Sequence, residues 1–580
     1  MKVVKIILPI IIVLVLSFWA IRPLLSPGLF PVHDDTQVQR VFEMTKSLNA
    51  GMFPVRWSMD LGFGFGYPIF NFYAPLAYYS GSFFNLLGFN VLISAKLMMG
   101  LGILLSGIFM YLLGKELFGK AAGVVAALFY VYAPYHAVDI YVRGDVAEFW
   151  AYAFIPLAFY GVIKTYKENN FKNAAIGALG FAGIILSHNL TAMMVSPFLL
   201  LLILVLFLAS FKKEKKVSFN PFWVLIFGAL ISCFYWLPAL SEMKYTNVLS
   251  QIGQGGFSYW DNFVCPGQLW TSPWGFGGSV PGCNDGLSFM IGKLHIILSF
   301  ASAVSAFILL LIKKFRKDSE NFYIILLLFL GFVFSAVLTL QISKPLWDSI
   351  RLMAFFQFPW RFLVMASFFS SLLAGSSVWF FRFFPFKKYA SYLDFGVATV
   401  LLAFLIFVSS KYFITSPILP TASGEYSGIY SENSGKYTTK YAISWFASNL
   451  THEYMPSDFL VPENPSQISN GKVIVKKGNV NIKNITRTPV KYAFTAESKN
   501  LSSIVIPVAY FPFWSAYIDG NIYKLSVLDN GVGIKVSPGI HQIQLKYSQT
   551  PVELLSDLIS VAGIAALIAG IILSARKRYE

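Results

Sequence analysis

The first polar segment of the chain carries two adjacent carboxylates. His33, Asp34 and Asp35 follow an apolar N-terminal run and precede an amphipathic stretch. Adjacent carboxylates at a membrane boundary could act as a general base or as metal ligands. The simpler alternative is that one aspartate caps the following helix, because a side-chain oxygen there accepts hydrogen bonds from free backbone N–H groups. Capping accounts for only one of the two aspartates, so the pair is a candidate catalytic group.

A second acidic group lies at the start of a later apolar run. Asp145 and Glu148 are three positions apart, and this spacing places both carboxylates on one face of a helix. Ionisable groups at a membrane boundary are costly and usually functional. The alternative is an N-cap with a first-turn acid, which the helix dipole favours. Arg143 precedes both acids and could pair with either.

Two basic residues occupy comparable boundary positions. His188 lies between two apolar runs, where it could bind a phosphate or a metal, or have a structural role. Arg361 begins another run, and a guanidinium there can form a bidentate contact with a lipid-linked phosphate. The alternative is an interfacial arginine that snorkels towards lipid headgroups. Cys265 and Cys283 share one polar segment, where a disulfide is permitted if that segment lies outside the cytoplasm.

The composition indicates that a lipid bilayer is the main partner. Of 580 residues, 56% are hydrophobic and 13% are charged, whereas a soluble protein carries about 25% charged residues. The net charge of +17 comes from short basic clusters between apolar runs, which is typical of membrane topology and not of a nucleic-acid groove. We therefore expect no nucleic-acid partner.

The apolar runs predict an all-α polytopic membrane protein. About twelve runs approach the length of about 20 residues that a helical span needs. The first is expected to be an uncleaved helix, because no small-residue cleavage site follows it. The predicted helices are 4–24, 91–113, 121–135, 146–165, 172–188, 190–210, 218–240, 291–312, 321–341, 360–381, 390–412 and 553–575.

Basic residues predict the orientation of these spans. Lys and Arg cluster in alternate connecting segments, and the positive-inside rule then places both termini in the cytoplasm. A transmembrane domain over 1–412 would have the outer loops 25–90, 136–146, 241–290 and 342–359. The acidic candidates and Arg361 then lie on the extracytoplasmic side.

The segment 413–552 has a different pattern. Short runs alternate between apolar and polar residues, and turn signals such as Asp519-Gly520 separate them. This pattern predicts a small antiparallel β-sandwich. The remaining residues, 553–580, form a last transmembrane helix with a basic cytoplasmic tail.

The order of the short motifs resembles that of the GT-C class of membrane glycosyltransferases. More closely, it resembles the bacterial membrane protein family labelled "6-pyruvoyl-tetrahydropterin synthase-related" and its neighbours with YfhO-like architecture. Pterin chemistry itself is excluded, because the six histidines are scattered along the chain and do not form a clustered zinc site. The stretch 510–520 also resembles the terminal β domain of these families, and the motifs that carry the resemblance are Val32-His33-Asp34-Asp35, Arg143-Gly144-Asp145, Ser187-His188-Asn189 and Gln357-Phe358-Pro359-Trp360-Arg361-Phe362.

The resemblance implies transfer of a sugar from a polyprenyl-phosphate-linked donor to a glycan, lipid or protein acceptor in cell-envelope assembly. Asp34 or Asp35 would be the general base. Arg361, with Arg351, would bind the donor phosphate. A further set would orient the acceptor or hold a divalent metal such as Mg or Mn: Asp145, Glu148, His33 and His188.

Two other classes of function remain open from the sequence. A transporter or flippase for lipid-linked glycans would be expected to show inverted repeats and polar groups deep in its spans. A non-catalytic assembly factor would present the β domain and would not need the acidic residues. The charged candidates of this chain lie at span boundaries, which favours transfer over transport.

Overall fold

The structure is a bundle of apolar helices with a β domain near the C-terminal end of the chain. This computed structural model describes residues 2–28, 30–213, 219–248, 258–383, 390–417 and 442–576. The α-helices among them are α1 (Lys2–Leu16), α2 (Phe18–Ile21), α3 (Gln37–Asn49), α4 (Ile69–Phe72), α5 (Leu76–Leu86), α6 (Val91–Phe118), α7 (Lys120–Val131), α8 (Pro134–Val138), α9 (Val146–Glu168), α10 (Phe171–Ser187), α11 (Asn189–Lys213), α12 (Phe222–Ile231), α13 (Cys233–Glu242), α14 (Pro266–Trp270), α15 (Lys293–Leu311), α16 (Ser319–Leu338), α17 (Lys344–Ser349), α18 (Leu363–Trp379), α19 (Ala390–Ser409), α20 (Ser448–Leu450) and α21 (Pro551–Arg576).

Short helical turns of other types connect these elements. Two are π-helices, Asp139–Arg143 and Ala442–Ala447. The 3-10 helices of the described residues are Arg22–Leu25, Met243–Tyr245, Tyr259–Asp261, Lys313–Asp318, Gln341–Ser343, Arg351–Phe356, Pro359–Phe362, Phe380–Phe383, Ser410–Tyr412 and Pro465–Gln467.

The predicted multi-pass fold is confirmed, with a smaller number of clear spans. Within the described ranges, eight helices are long and apolar enough to cross a membrane. The number rises to eleven if each of three bent helix pairs counts as one span. The prediction of about twelve spans also included α10, which is apolar but is shorter than the spans that qualify.

One of the bends shapes the region of the acidic candidates. The pair Lys120–Val131 and Pro134–Arg143 bends by 42°. Ala133 precedes Pro134 and adopts an extended ψ of 132°, because the proline ring disfavours helical geometry in the residue before it. Residues 136–143 of the predicted outer loop 136–146 are helical and buried.

The two most buried spans lie at the centre of the bundle. In the span Val146–Glu168, 83% of the apolar window is buried, and in Pro359–Phe383 the fraction is 94%. Close approach of α9 and α10 depends on small residues, since a Cβ atom on Gly161 would lie 2.1 Å from the Cα atom of Gly177. The first turns of these two spans carry Glu148 and Arg361, respectively, so central packing positions both side chains.

The predicted antiparallel β-sandwich is confirmed. One sheet has four strands in the order β1-β4-β8-β7, and the other has five in the order β2-β3-β9-β5-β6. Part of the segment predicted for this domain, 418–441, lies outside the described residues. The strands are β1 (Ile474–Lys477), β2 (Val480–Thr488), β3 (Lys491–Ser498), β4 (Ser502–Ile506), β5 (Trp514–Ile518), β6 (Asn521–Tyr523), β7 (Ser526–Leu528), β8 (Gly531–Val536) and β9 (Gly539–Tyr547).

The β domain packs on the segment that follows α3. The Trp57 ring makes edge contacts with the rings of Phe513 and Trp514, with centroids 5.4 and 5.5 Å away. Arg487 Nη2 donates hydrogen bonds to the carbonyl oxygens of Met59 and Gly64, at 3.1 and 2.9 Å. The predicted outer loop 25–90, hereafter the first outer segment, therefore shares one core with the β domain.

We predict that Trp57→Ala loosens this junction. Replacing a buried tryptophan by alanine lowers the free energy of unfolding by about 3–5 kcal/mol. The lost contacts here are those between the β domain and the segment after α3. The melting temperature in detergent should fall, and limited proteolysis should release the β domain earlier. Trp260→Ala is the control, because Trp260 is 57% exposed. Equal effects of the two substitutions would contradict the shared core.

Candidate active site

A tight turn before α9 brings several charged side chains together. The π-helix Asp139–Arg143 ends at Gly144, which has a left-handed φ of 63°. The backbone N–H of Asp145 then donates to the Asp139 carbonyl oxygen at 3.2 Å. Asp145 also caps α9, because its side chain accepts a hydrogen bond from the backbone N–H of Glu148 at 3.0 Å. The capping role and the clustered position therefore coexist in Asp145.

Backbone hydrogen bonds fasten the first outer segment to this turn. The backbone N–H of His33 donates to the Val142 carbonyl oxygen at 3.0 Å, and that of Asp34 donates to the Arg143 carbonyl oxygen at 2.8 Å. Neither aspartate of the pair is the N-cap of α3, since that position is Thr36.

Arg143 forms ion pairs with three carboxyl groups of the cluster. Its Nη1 lies 2.5 Å from Asp139 Oδ1 and 2.9 Å from Glu148 Oε1, and its Nη2 lies 2.7 Å from Asp145 Oδ2. The guanidinium also stacks 4.7 Å from the centroid of the Trp360 ring. One buried cation thus holds three buried carboxylates within a few ångströms of one another.

Arg361 adds a second guanidinium from another span. Its Nε lies 3.3 Å from Glu148 Oε2, and its Nη2 lies 3.9 Å from Asp145 Oδ2. Arg361 is only 7% exposed, and its Nη1 donates no hydrogen bond to any described residue. A buried N–H group without an acceptor lowers the stability of the folded protein. This N–H group is therefore suited to bind an anionic ligand.

Three side chains of the cluster could hold a metal ion. Ligand atoms of Asp145, Glu148 and His188 lie within 4.8 Å of one another. His188 Nδ1 is hydrogen-bonded to Thr191 Oγ1 at 2.8 Å, which orients the ring. Burial lowers the pKa of His188 to about 4, so the imidazole is neutral at pH 7 and can act as a ligand. Two carboxylates and a neutral imidazole fit a divalent cation such as Mn.

The pKa values of two neighbouring carboxyl groups are moved apart. Burial and the negative charge of Asp145 raise the pKa of Asp34 to about 6. Burial alone would raise the pKa of Asp145. The neighbouring positive charges, chiefly that of Arg143, have the larger effect and lower this pKa to about 2. Two acidic groups with separated pKa values can take different roles in one reaction. Asp145 is suited to hold charge, and Asp34 is suited to exchange a proton.

Other predicted residues lie at the edge of the cluster or away from it. Asp35 is buried, at 4% exposure. The exposed His33 is outside the metal-binding group, and its Nε2 is hydrogen-bonded to the Phe276 carbonyl oxygen at 3.1 Å. Arg351 is exposed at the start of a 3-10 helix and forms none of the ion pairs found among the cluster residues.

The two cysteines of the third outer segment form a disulfide. Cys265 and Cys283 are joined, with their Cα atoms 5.4 Å apart. The loop that they close reaches the cluster, because the indole N–H of Trp360 donates to Ser279 Oγ at 3.2 Å. The disulfide therefore restrains a loop that lies against the site.

Sequence reasoning missed two members of the cluster. Asp139 pairs with Arg143, and their spacing of four residues is a signal for a helical ion pair. The Tyr135 hydroxyl donates to Glu148 Oε1 at 2.5 Å. No sequence signal distinguishes this tyrosine from the many others, since only the bend between α7 and α8 turns it towards Glu148.

We predict that Gly144→Ala separates the first outer segment from the turn. A Cβ atom there would lie 2.4 Å from Val32 Cγ2, and the left-handed φ adds about 1–2 kcal/mol. Amide hydrogen exchange at His33 and Asp34 should lose its protection. Gly520→Ala is the control, because Gly520 has a similar φ of +82° and nothing within 4 Å of its Cβ position. Retained protection in Gly144→Ala would argue against the close contact.

The chain is similar to known proteins in sequence and in fold. An uncharacterized protein of Lactococcus lactis subsp. cremoris (strain MG1363) is 26% identical over 212 residues, which span 35% of this chain and 34% of that relative. The oligosaccharyltransferase of Archaeoglobus fulgidus in its apo form has a TM-score of 0.46 and 13% identity, over 79% of this chain and 61% of that chain. Its complex with an inhibitory peptide and a dolichol-phosphate has a TM-score of 0.44 and 11% identity, over the same shares of the two chains.

A family profile matches the part of the chain that contains the metal-binding group. The profile describes a 6-pyruvoyl-tetrahydropterin synthase related domain of a membrane protein and matches residues 70–251. This range includes Asp145, Glu148 and His188, and excludes Asp34 and Arg361. Over residues 70–251, the chain therefore resembles this family of membrane proteins, as the sequence motifs predict.

Proposed function

We propose that this protein is a membrane glycosyltransferase that moves a sugar from a polyprenyl-phosphate-linked donor to a glycan, lipid or protein acceptor. The observation that carries the proposal is the cluster in which Asp34, Asp145, Glu148 and Arg361 meet. These residues come from three separate parts of the chain. Asp145, Glu148 and Arg361 lie at or beside the end of a span, and Asp34 lies in the segment between the first bent helix pair and α3. A lipid-linked substrate would reach such a position from the bilayer.

Asp34 is the proposed general base. It removes the proton from the acceptor hydroxyl or amine as that atom forms a bond to the anomeric carbon of the sugar. The bond between the anomeric carbon and the phosphate oxygen breaks, and its electron pair leaves with the polyprenyl phosphate. Asp34 is preferred over Asp35 because it keeps some contact with solvent and because its raised pKa of about 6 suits proton exchange near neutral pH.

Arg361 is the proposed ligand of the donor phosphate. Its unbonded Nη1 can donate to a phosphate oxygen, and the positive charge would stabilise the negative charge that develops on the leaving phosphate. Glu148 and Asp145 hold the guanidinium in place from one side. In this arrangement Arg361 binds the donor, and Asp34 contacts the acceptor.

Asp145, Glu148 and His188 would hold a divalent cation, Mg or Mn. When bound, such a cation would supply positive charge next to the phosphate of the donor. Without it, the four carboxylates of Asp34, Asp139, Asp145 and Glu148 face the two guanidiniums of Arg143 and Arg361. The ligand atoms of Asp145, Glu148 and His188 lie within 4.8 Å of one another, which suits binding of such a cation.

The proposed location is the cytoplasmic membrane, with both termini in the cytoplasm and the site on the extracytoplasmic side. The basic clusters between the spans support this orientation. The Cys265–Cys283 disulfide is also consistent with an oxidising compartment. Because the first outer segment is hydrogen-bonded to the turn at Val142 and Arg143, these two segments share one side of the bilayer.

We predict that Asp34→Asn lowers sugar transfer by about 100-fold or more, the usual loss when a general base is removed. The assay is the release of polyprenyl phosphate from a polyprenyl-phosphate-linked hexose in proteoliposomes. Asp35→Asn should have a smaller effect. Asp348→Asn is the control, because Asp348 is exposed and paired with Lys344. Full activity of Asp34→Asn would remove the proposed catalytic role.

The pH profile gives an independent check. Asp34 acts as a base only when deprotonated, so transfer should rise through pH about 6, the raised pKa of Asp34, and level off above it. Below that value the rate should fall about tenfold per pH unit. A rising limb near pH about 4, the ordinary value for aspartate, would point to a different base.

Cation binding can be measured without the reaction. We predict that Mn raises the melting temperature of the chelator-treated protein and that His188→Ala and Glu148→Gln reduce this rise. The reason is that each substitution removes one of three ligands within 4.8 Å. His541→Ala is the control, because His541 lies in the β domain and pairs with Asp519. An undiminished response in both ligand variants would rule out this metal site.

A further inference from the structure

Arg40 is a buried cation that the proposed mechanism does not use. It lies on α3 and is only 2% exposed. Among the described residues it forms no ion pair within 4.0 Å, and its Nε has no hydrogen-bond acceptor. Its Nη1 donates to the Tyr78 hydroxyl at 3.0 Å, and its guanidinium lies 4.2 Å from the centroid of the Tyr73 ring.

The other fully buried arginine has the opposite environment. Arg56 is 1% exposed, and its guanidinium lies 2.9 Å from Asp557 Oδ1 and 3.6 Å from Glu553 Oε1. A buried charge is normally compensated in this way, because removal from water without a partner carries a large penalty. Stacking on two tyrosines compensates Arg40 only in part. Glu453 and Asp34 interact with Arg40 electrostatically but lie beyond ion-pair distance among the described residues. The Nε of Arg40 therefore still lacks an acceptor and can donate to a bound anion.

A chain of hydrogen bonds connects Arg40 to the proposed base. The Tyr78 hydroxyl, which accepts from Arg40, donates to Gln37 Oε1 at 2.7 Å. Gln37 Nε2 in turn donates to the carbonyl oxygens of Asp34 and Gly144, at 3.0 and 2.8 Å. The hydrogen bonds of Arg40 therefore lead to the backbone of Asp34. Arg361, by contrast, contacts Asp145 and Glu148.

We propose that Arg40 binds an oxyanion, a carboxylate or a phosphate, on the acceptor. This assignment rests on the proposed function, in which Asp34 contacts the acceptor and Arg361 contacts the donor phosphate. A guanidinium binds either oxyanion through paired N–H groups. The acceptor class is then an acidic molecule, such as a glycan with uronic acid or phosphate groups, and neutral acceptors would be poorer substrates.

The stability of the ligand-free protein separates a binding role from a structural one. Arg40→Met removes a buried charge that has no direct ion pair among the described residues and keeps an apolar stem, so the melting temperature of the full chain in detergent should fall less than in a variant that breaks a direct ion pair. Arg56→Met is the matched comparison, and it should lower the melting temperature because it leaves Glu553 and Asp557 buried without their cation. A fall for Arg40→Met as large as that for Arg56→Met would show that Arg40 is structural and would overturn the proposal.

Binding is tested with three small probes at constant ionic strength: glucuronate, inorganic phosphate and glucose. The acidic probes should raise the melting temperature of the wild-type protein, and glucose should not. In Arg40→Met, the rise in melting temperature with the acidic probe that stabilises the wild-type protein should be mostly lost. In Arg40→Lys, part of this rise should remain. A response to glucuronate alone identifies a carboxylate, and one to phosphate alone identifies a phosphate ester. No response to either anion, or an equal response in Arg40→Met, would overturn the proposal.

The Asp34→Asn variant separates this inference from the proposed function. It removes the base but leaves the Arg40 side chain and its tyrosine contacts in place, so it should lose transfer and retain binding of the acidic probe. Retained transfer in Asp34→Asn would contradict the catalytic proposal while leaving anion binding at Arg40 intact. Loss of the anion response in Arg40→Met but not in Asp34→Asn is the result expected for an acceptor-binding arginine.

Discussion

The site depends on the contacts between Arg143 and three carboxylates. Asp139, Asp145 and Glu148 all lie within 3 Å of its guanidinium nitrogens, in a place from which water is largely excluded. Without that cation, any negative charge on these buried carboxyl groups would have no direct partner in Arg143, and the loss of hydration would oppose folding. The same interaction lowers the pKa of Asp145, whereas the pKa of Asp34, the proposed base, is raised.

The packing of the bundle interior fixes the positions of charged residues in the candidate site. The spans that begin at Val146 and Pro359 are the most buried of those that cross the membrane as single helices, and their first turns carry Glu148 and Arg361. Small residues such as Gly161 and Gly177 let the central helices approach closely. Charged groups at the ends of such rigid elements are held in fixed positions, which is the condition for electrostatic stabilisation of a reacting group.

The first outer segment has three functions in the proposed scheme. It carries Asp34, it positions Arg40 through Gln37 and Tyr78, and it supplies Trp57 to the core shared with the β domain. Acceptor binding and the placement of the β domain therefore involve one continuous piece of chain.

Local sequence patterns determined the elements of this protein. Apolar runs specified most of the spans, period-two alternation specified the β-sandwich, and the spacing of Asp145 and Glu148 placed two carboxylates on one helical face. These features depend on residues close together in the chain, so they can be read from the sequence. The position of Arg143 among three carboxyl groups and the burial of Arg40 against Tyr73 and Tyr78 were decided by the tertiary structure. Each depends on which distant side chains come close in space, and the electrostatic environment of a buried charge is set by those neighbours and not by the residues beside it in sequence.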